Sequence, residues 1–210
     1  MKPFYLSASL TLCVFCFTKS AQSQNWAVGL HFGENLSTLR GGAKTDYQLG
    51  FMAGGHVSHY LTENVVLRLE ANLERKGTRL EDSNPNPNPG APNFGDDYRF
   101  DYISLPVMLR YSTSSKVKFV VGGGTSVDFL VRQRTDYDDL SVNEIGQYRR
   151  LDTDLVGAIG TAVPFGKKWT FSLEMRGMWG LVKVDKPAGL STEFGKNLTW
   201  GLMAGVSYYL

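Results

Sequence analysis

The sequence predicts an all-β chain, with eight antiparallel strands closed into an up-and-down transmembrane β-barrel. Three observations lead there. Side chains alternate in character with a period of two along most of the chain, not with the 3.6 of a helix. The connections between alternating segments are short and long in turn. The polar phase is rich in glycine and in charges of both signs, which suits the narrow interior of a small barrel.

The predicted strands span 25–33, 46–60, 64–77, 97–111, 116–131, 150–163, 168–182 and 197–209. The third shows the alternation best. Val65, Leu67, Leu69, Ala71 and Leu73 take one face, and Val66, Arg68, Glu70, Asn72 and Glu74 take the other. The seventh sets Trp169, Phe171, Leu173, Met175, Trp179 and Leu181 against Thr170, Ser172, Glu174, Arg176 and Gly180. In the fifth, Val117, Phe119, Val121, Thr125, Val127 and Phe129 oppose Lys118, Gly122, Gly124, Ser126 and Asp128. Such strands exceed the roughly 5–6 residues of a globular strand and reach the roughly 9–11 that cross a bilayer at a tilt.

Thr62-Glu63, 112–115 and 164–167 are tight connections, whereas 34–45, 78–96, 132–149 and 183–196 are long and polar. Short turns at one rim and long loops at the other fit an outer-membrane barrel. An even strand count then sets both termini on the periplasmic side and the long loops outside the cell. Asn84-Pro85-Asn86-Pro87-Asn88-Pro89-Gly90 predicts an extended loop tip, because proline removes donors and fixes φ. Asp136, Asp138, Asp139 and Glu144 make the 132–149 loop acidic between Arg132, Arg134, Arg149 and Arg150.

Alternation alone also fits a soluble, lipocalin-like ligand carrier, which is the alternative with its apolar face inside. Three features favour lipid outside. Gly29, Gly50, Gly54, Gly122, Gly124, Gly160, Gly201 and Gly205 share the polar face with Arg68, Glu70, Glu74, Arg110, Lys118, Asp128, Glu174 and Arg176. On a solvated exterior so many glycines would weaken strands for no gain. Aromatic residues of the apolar face gather at strand ends: Trp26, Tyr111, Phe119, Trp169, Phe171 and Tyr208 at one rim, Tyr47, Phe129, Trp179 and Trp200 at the other. Leu198, Trp200, Leu202, Ala204, Val206, Tyr208 and Leu210 alternate to the last residue, and closing this strand on the first would remove both sheet edges.

Residues 1–23 read as a cleaved signal peptide: Lys2, an apolar run from Phe4 to Phe17, then small residues at Ala21 and Ser23. That leaves 24–210 as one barrel domain. Cys13 and Cys16 fall in the leader, so no disulfide is expected in the exported chain. The formal charge of +2 loses Lys2 and Lys19 with the leader, leaving a neutral chain with no case for nucleic acid.

Three segments carry a family resemblance. Gly50-Phe51-Met52-Ala53-Gly54-Gly55, Tyr102-Ile103-Ser104-Leu105-Pro106-Val107-Met108-Leu109-Arg110-Tyr111 and Val121-Gly122-Gly123-Gly124 resemble the PorT-type outer-membrane barrels, OmpA/OmpX-like barrels of eight strands. The resemblance spans the whole of 24–210. It implies an eight-stranded barrel in the outer membrane of a Gram-negative cell, with a role in protein secretion in some relatives, and it carries over no site residue. The end of the chain departs from the usual terminal aromatic, since Tyr208 and Tyr209 precede Leu210.

No catalytic, cofactor-binding or metal site is predicted. His31 and His56 share the inward phase and His59 the outward one. Ser58, Ser126, Ser172, Glu70 and Glu174 are of the right type for a hydrolase, but no spacing selects a triad. His56 and His59 lie three apart in a strand and face opposite ways, so they cannot chelate together. The charges Arg68, Glu70, Glu74, Arg110, Glu174 and Arg176 enter a confined space, and unpaired they would each cost several kcal/mol, so a paired network that plugs the bore is expected. The chain is therefore expected to be a monomeric, non-porin interaction protein. Its expected partners are outer-membrane lipid, lipopolysaccharide and a protein met through loops 78–96 and 132–149. The alternatives are a lipid-modifying enzyme or a narrow solute channel.

Overall fold

The computed structural model describes residues 25–41, 45–80, 97–137, 140–142, 145–184 and 195–210. The strands are β1 (Trp26–Arg40), β2 (Thr45–Tyr60), β3 (Val65–Leu80), β4 (Asp97–Ser112), β5 (Lys118–Tyr137), β6 (Leu140–Val142), β7 (Leu151–Phe165), β8 (Trp169–Lys183) and β9 (Lys196–Tyr209), with one 3₁₀ turn at Ile145–Gln147. All pairings are antiparallel, and the eight long strands close when β9 pairs with β1 from Ala27↔Tyr209 to Arg40↔Lys196. The short β6 only extends the far end of β5. The predicted architecture is therefore present, with strand ends within a few residues in most cases.

Two boundaries differ. β1 runs to Arg40 rather than ending near residue 33, so the expected long connection 34–45 is in fact short. The cause is Glu34, a charge in the apolar phase that interrupts the sequence pattern while the backbone ladder continues on both sides, with Glu34 opposite Phe51 and Leu202. β5 likewise extends to Tyr137, because its partner β4 begins at Asp97 and pairs as far as Asp136. The leader reading of 1–23 and the proline-rich 84–90 segment lie outside the described residues.

The turns at one end follow from local chemistry. Thr62 Oγ1 accepts from the amides of Asn64 (3.3 Å) and Val65 (3.0 Å) in the β2–β3 turn. Gly166 takes φ +65° in the β7–β8 turn, which a side chain would oppose. Within the wall, Pro106 leaves a gap in the β3–β4 ladder between Leu69↔Val107 and Asn72↔Ser104, since proline has no N–H to donate. Beside it a Cβ at Gly124 would collide with the Val107 carbonyl, so β4 and β5 approach closely only because glycine stands there. β2 carries a bulge between Tyr47 and Met52 where it faces β3.

The outer wall is apolar from the short turns up to a continuous row, Leu73↔Ile103↔Phe129↔Leu151, across β3, β4, β5 and β7. Those four side chains are all exposed. The next outward row is Arg75↔Asp101↔Arg132. Inward positions change at the same level. Below it they are mostly charged or polar; above it β4 turns Tyr102, Phe100 and Tyr98 inward, all buried.

Candidate functional site

The bore holds two charged clusters. In the one nearer the short turns, Arg176 of β8 is fully buried and binds Glu70 of β3 with both terminal nitrogens (2.7 and 3.0 Å) and Glu174 with one (2.7 Å). Arg110 of β4 closes on the other oxygen of Glu174. Arg68 donates from Nε to Ser58 at 3.1 Å and lies 4.0 Å from Glu70. Each carboxylate thus meets more than one guanidinium, as buried charge requires. Alternation places these side chains inward at every second residue, and their strands face across the bore.

Histidines join this cluster. His56 Nε2 is 2.9 Å from Ser207 Oγ, His56 Nδ1 is 3.3 Å from His31 Nδ1, and His31 Nε2 is 2.8 Å from Asn72 Oδ1. Glu70 stands 3.9 Å from His31. A serine–histidine–histidine–carboxylate chain has the partners of a nucleophile relay, but all four side chains are buried inside the barrel. A nucleophile must reach a substrate carbonyl, and Ser207 is buried. The other candidates by type are dispersed: Ser58 serves Arg68, Ser126 serves Asp128, and Ser172 donates to the Gly205 carbonyl at 3.4 Å. His59 packs on the outer wall against Trp26, with ring centroids 4.3 Å apart. Among the described residues no group of three or more His, Cys, Asp or Glu side chains is arranged so that it could hold a metal ion.

The second cluster centres on Lys76, also fully buried. Its Nζ donates to Asp128 and Asp154 at 2.6 Å each and lies 3.7 Å from Glu74. Asp128 also accepts from Ser104 (2.5 Å) and from Ser126, while Asp152 accepts from Asn197 at 2.7 Å. Three acids thus surround one amine, with Asp152 held on Asn197. Sequence reasoning marks Glu74 and Asp128 as inward but not Lys76, Asp152 or Asp154. The signal is there, since Lys76 continues the even-numbered inward phase of Glu70 and Glu74.

Between the clusters lies a layer of Met52, Met108, Met178 and Met203 with Val156 and Ala158. Along β4, Met108 separates Arg110 from Ser104; along β8, Met178 follows Arg176. Unbranched methionines fill an irregular space between rows of ions. Beyond Lys76, the bore ends in a crown of Leu39, Tyr98, Phe100, Tyr102, Leu130, Tyr148 and Val184, where Phe100 and Tyr148 meet edge-on at 5.0 Å. At the short-turn end Tyr60 and Tyr209 join hydroxyls at 2.8 Å, beside an open cavity of about 530 Å³ bordered by Lys118, Trp169 and Tyr209.

A closed antiparallel barrel with ions inside and a banded apolar wall outside belongs to the class of outer-membrane barrels. The chain is a member of the family described as outer membrane protein beta-barrel domain, whose model matches residues 20–186. No curated protein sequence matches it. Among solved structures it is similar to Neisserial surface protein A (15% identity, TM-score 0.56, covering 89% of this chain and 97% of that one). It is also similar to OprG of Pseudomonas aeruginosa (12% identity, TM-score 0.53, 89% and 96%) and to Ail of Yersinia pestis (12% identity, TM-score 0.50, 88% and 97%). At such identity the likeness extends to the fold, and these neighbours are outer-membrane barrels.

Proposed function

We propose that this outer-membrane protein is a plugged, non-porin barrel of the PorT type that works as an interaction platform, linked to protein secretion or surface assembly. One observation carries the reading: buried ions, methionines and aromatic rings follow one another along the bore, from Arg176 through Met178 and Lys76 to Phe100. A bore so occupied favours a static scaffold over a conduit. The side chains of the relay around Ser207 are buried, which favours a scaffold over a catalyst. Function then falls to the segments 78–96 and 132–149, which begin in the ends of β3 and β5, with both termini periplasmic and a protein as the partner.

Two measurements test this. Planar-bilayer recording of the pure protein should give no steady porin-sized current; a stable open level would overturn the plugged reading. Cross-linking in intact outer membranes, followed by capture of the barrel, should recover a protein partner that is lost when 83–90 is deleted while assembly is unchanged. Capture indifferent to that deletion and to changes in 132–149 would overturn the loop reading.

A further inference from the structure

The short-turn mouth of the bore differs from the plug behind it. An open cavity of about 530 Å³ lies between the β2–β3 turn, the β7–β8 turn and the first residue of β5. That is within the roughly 300–1,000 Å³ of pockets that take small molecules. The cations among its described lining residues are Lys118, half-buried in the inward phase of β5, and Lys167, exposed in the β7–β8 turn. Neither has an ion pair among the described residues. Glu63, exposed in the β2–β3 turn, is the one acid among the described lining residues.

The lining also holds a polar group with nothing to bond. Thr170 of β8 is buried, and its Oγ1 has no hydrogen-bond partner. Its neighbours in register are Pro164, which has no N–H, and Ser207, whose hydroxyl is 2.9 Å from His56 Nε2. A buried hydroxyl left unmet is costly and calls for a partner. Tyr60 and Tyr209 pair their hydroxyls at 2.8 Å; one phenol donates to the other, so one O–H stays available to a further acceptor. Deeper in the bore, Arg68, Arg110 and Arg176 outnumber Glu70 and Glu174, so the cluster behind the mouth is itself formally positive. Trp169 borders the opening, held edge-on to Tyr208 at 4.8 Å and stacked on Phe165 at 6.3 Å. Ammonium groups, a spare phenol and an unmet hydroxyl make this a cavity of donors beside a ring.

We propose that this mouth binds a small organic oxyanion, a carboxylate or a phosphate ester. Its charged end lies between Lys118 and Lys167 and accepts from Thr170, and its apolar part rests against Trp169. Bonds from ammonium groups to an ionised oxygen are the stronger, charge-assisted kind. A cleft lined mainly by one sign of charge also gathers ligands of the other sign. The site stands at the end of the barrel remote from 78–96 and 132–149, and its chemistry is the same whichever side of the membrane that end faces.

The test titrates the refolded full barrel, in neutral detergent, with benzoate, phenyl phosphate, inorganic phosphate and benzamide, which matches benzoate in shape without its charge. Amide and indole NMR reports binding. Benzoate and phenyl phosphate should each give saturable shifts at the Trp169 indole and the Thr170 amide, the tighter of the two assigning the head group. The indoles of Trp179 and Trp200, at the other end of their strands, should stay in place. Benzamide should bind about tenfold more weakly than benzoate. Lys118→Gln/Lys167→Gln should weaken both anions by about tenfold or more, and Thr170→Val by about fivefold, the scale of losing charge-assisted and neutral hydrogen bonds. Lys116→Gln, in the turn before β5 and off the lining, should change nothing. Equal affinity for benzamide and benzoate, an unaffected double variant, or shifts spread over all the indoles would overturn the proposal. Unchanged affinity in Thr170→Val would overturn the seat on its hydroxyl. Inorganic phosphate binding as tightly as phenyl phosphate would overturn the organic part of the ligand. Heat-modifiable gel mobility reports folding of every sample separately.

Discussion

The wall below the Leu73↔Ile103↔Phe129 row and the wall above it are built from the same alternation with opposite polarity. Below, β4 points Leu105, Val107 and Leu109 outward and Ser104 and Arg110 inward. Above, the same strand points Asp101, Arg99 and Asp97 outward and Tyr102, Phe100 and Tyr98 inward. The upper part is folded as a water-soluble protein is, around an aromatic core; the lower part is folded inside out. In β4 the alternation runs through unbroken, while its register against β5 shifts between Asp101 and Tyr102, at the level of the inversion. What changes is the solvent each level is made for, so the level of inversion locates the edge of the hydrocarbon. The lesson is that one strand can serve two solvents, since side-chain polarity reverses while antiparallel pairing continues on both sides of the shift.

The contrast can be broken most severely from inside the lower part. Arg176→Met would leave Glu70 and Glu174 short of their buried partner. It should cost about 3–5 kcal/mol, read as a lowered urea midpoint for unfolding from lipid vesicles. In the crown the equivalent blow is apolar. Phe100→Ala should cost about 3 kcal/mol by opening a cavity against Tyr148, and hydrogen exchange should rise locally around β4 and the 3₁₀ turn rather than across the barrel. An exchange increase spread evenly over all strands would show that the crown is not a separate unit.

The outer faces sharpen the comparison further. Leu105→Arg, in the apolar band, should destabilise the vesicle-inserted barrel by about 2–3 kcal/mol, because a guanidinium then faces hydrocarbon. Arg79→Ala, above the inversion, should change stability by less than about 1 kcal/mol, since its pair with Asp97 is exposed to solvent. Similar costs at the two positions, measured in the same vesicles, would place both levels in one solvent and dissolve the distinction.

The inversion also explains what was legible in the sequence. Eight strands are readable because alternation persists at both levels. The lower bore is readable too, since Arg68, Glu70, Arg110, Glu174 and Arg176 interrupt apolar runs at every second place. The crown is not, because alternation does not say which phase is inside once the solvent changes; Tyr98, Phe100 and Tyr102 read equally well as girdle residues. Lys76 and Asp154 fall near that crossover, which hides their partnership across the bore. Ser207 and the two histidines come from β9, β1 and β2, and their meeting depends on closure of the barrel, which no local pattern encodes. The methionine layer likewise gathers side chains from β2, β4, β8 and β9 that no local pattern links.

Closure has a further consequence, in time. The β1–β9 seam joins Ala27 to Tyr209, residues near opposite ends of the described chain. Seven of the eight seams link neighbours in the order of synthesis, but this last one waits for nearly all of the polypeptide. Until it forms, two strands display unpaired amides and carbonyls, which hydrocarbon does not tolerate. Pairing of such remote segments is intrinsically slow. The chain must therefore spend its passage to the membrane with both edges open, and its demand on whatever escorts it ends only when β9 meets β1.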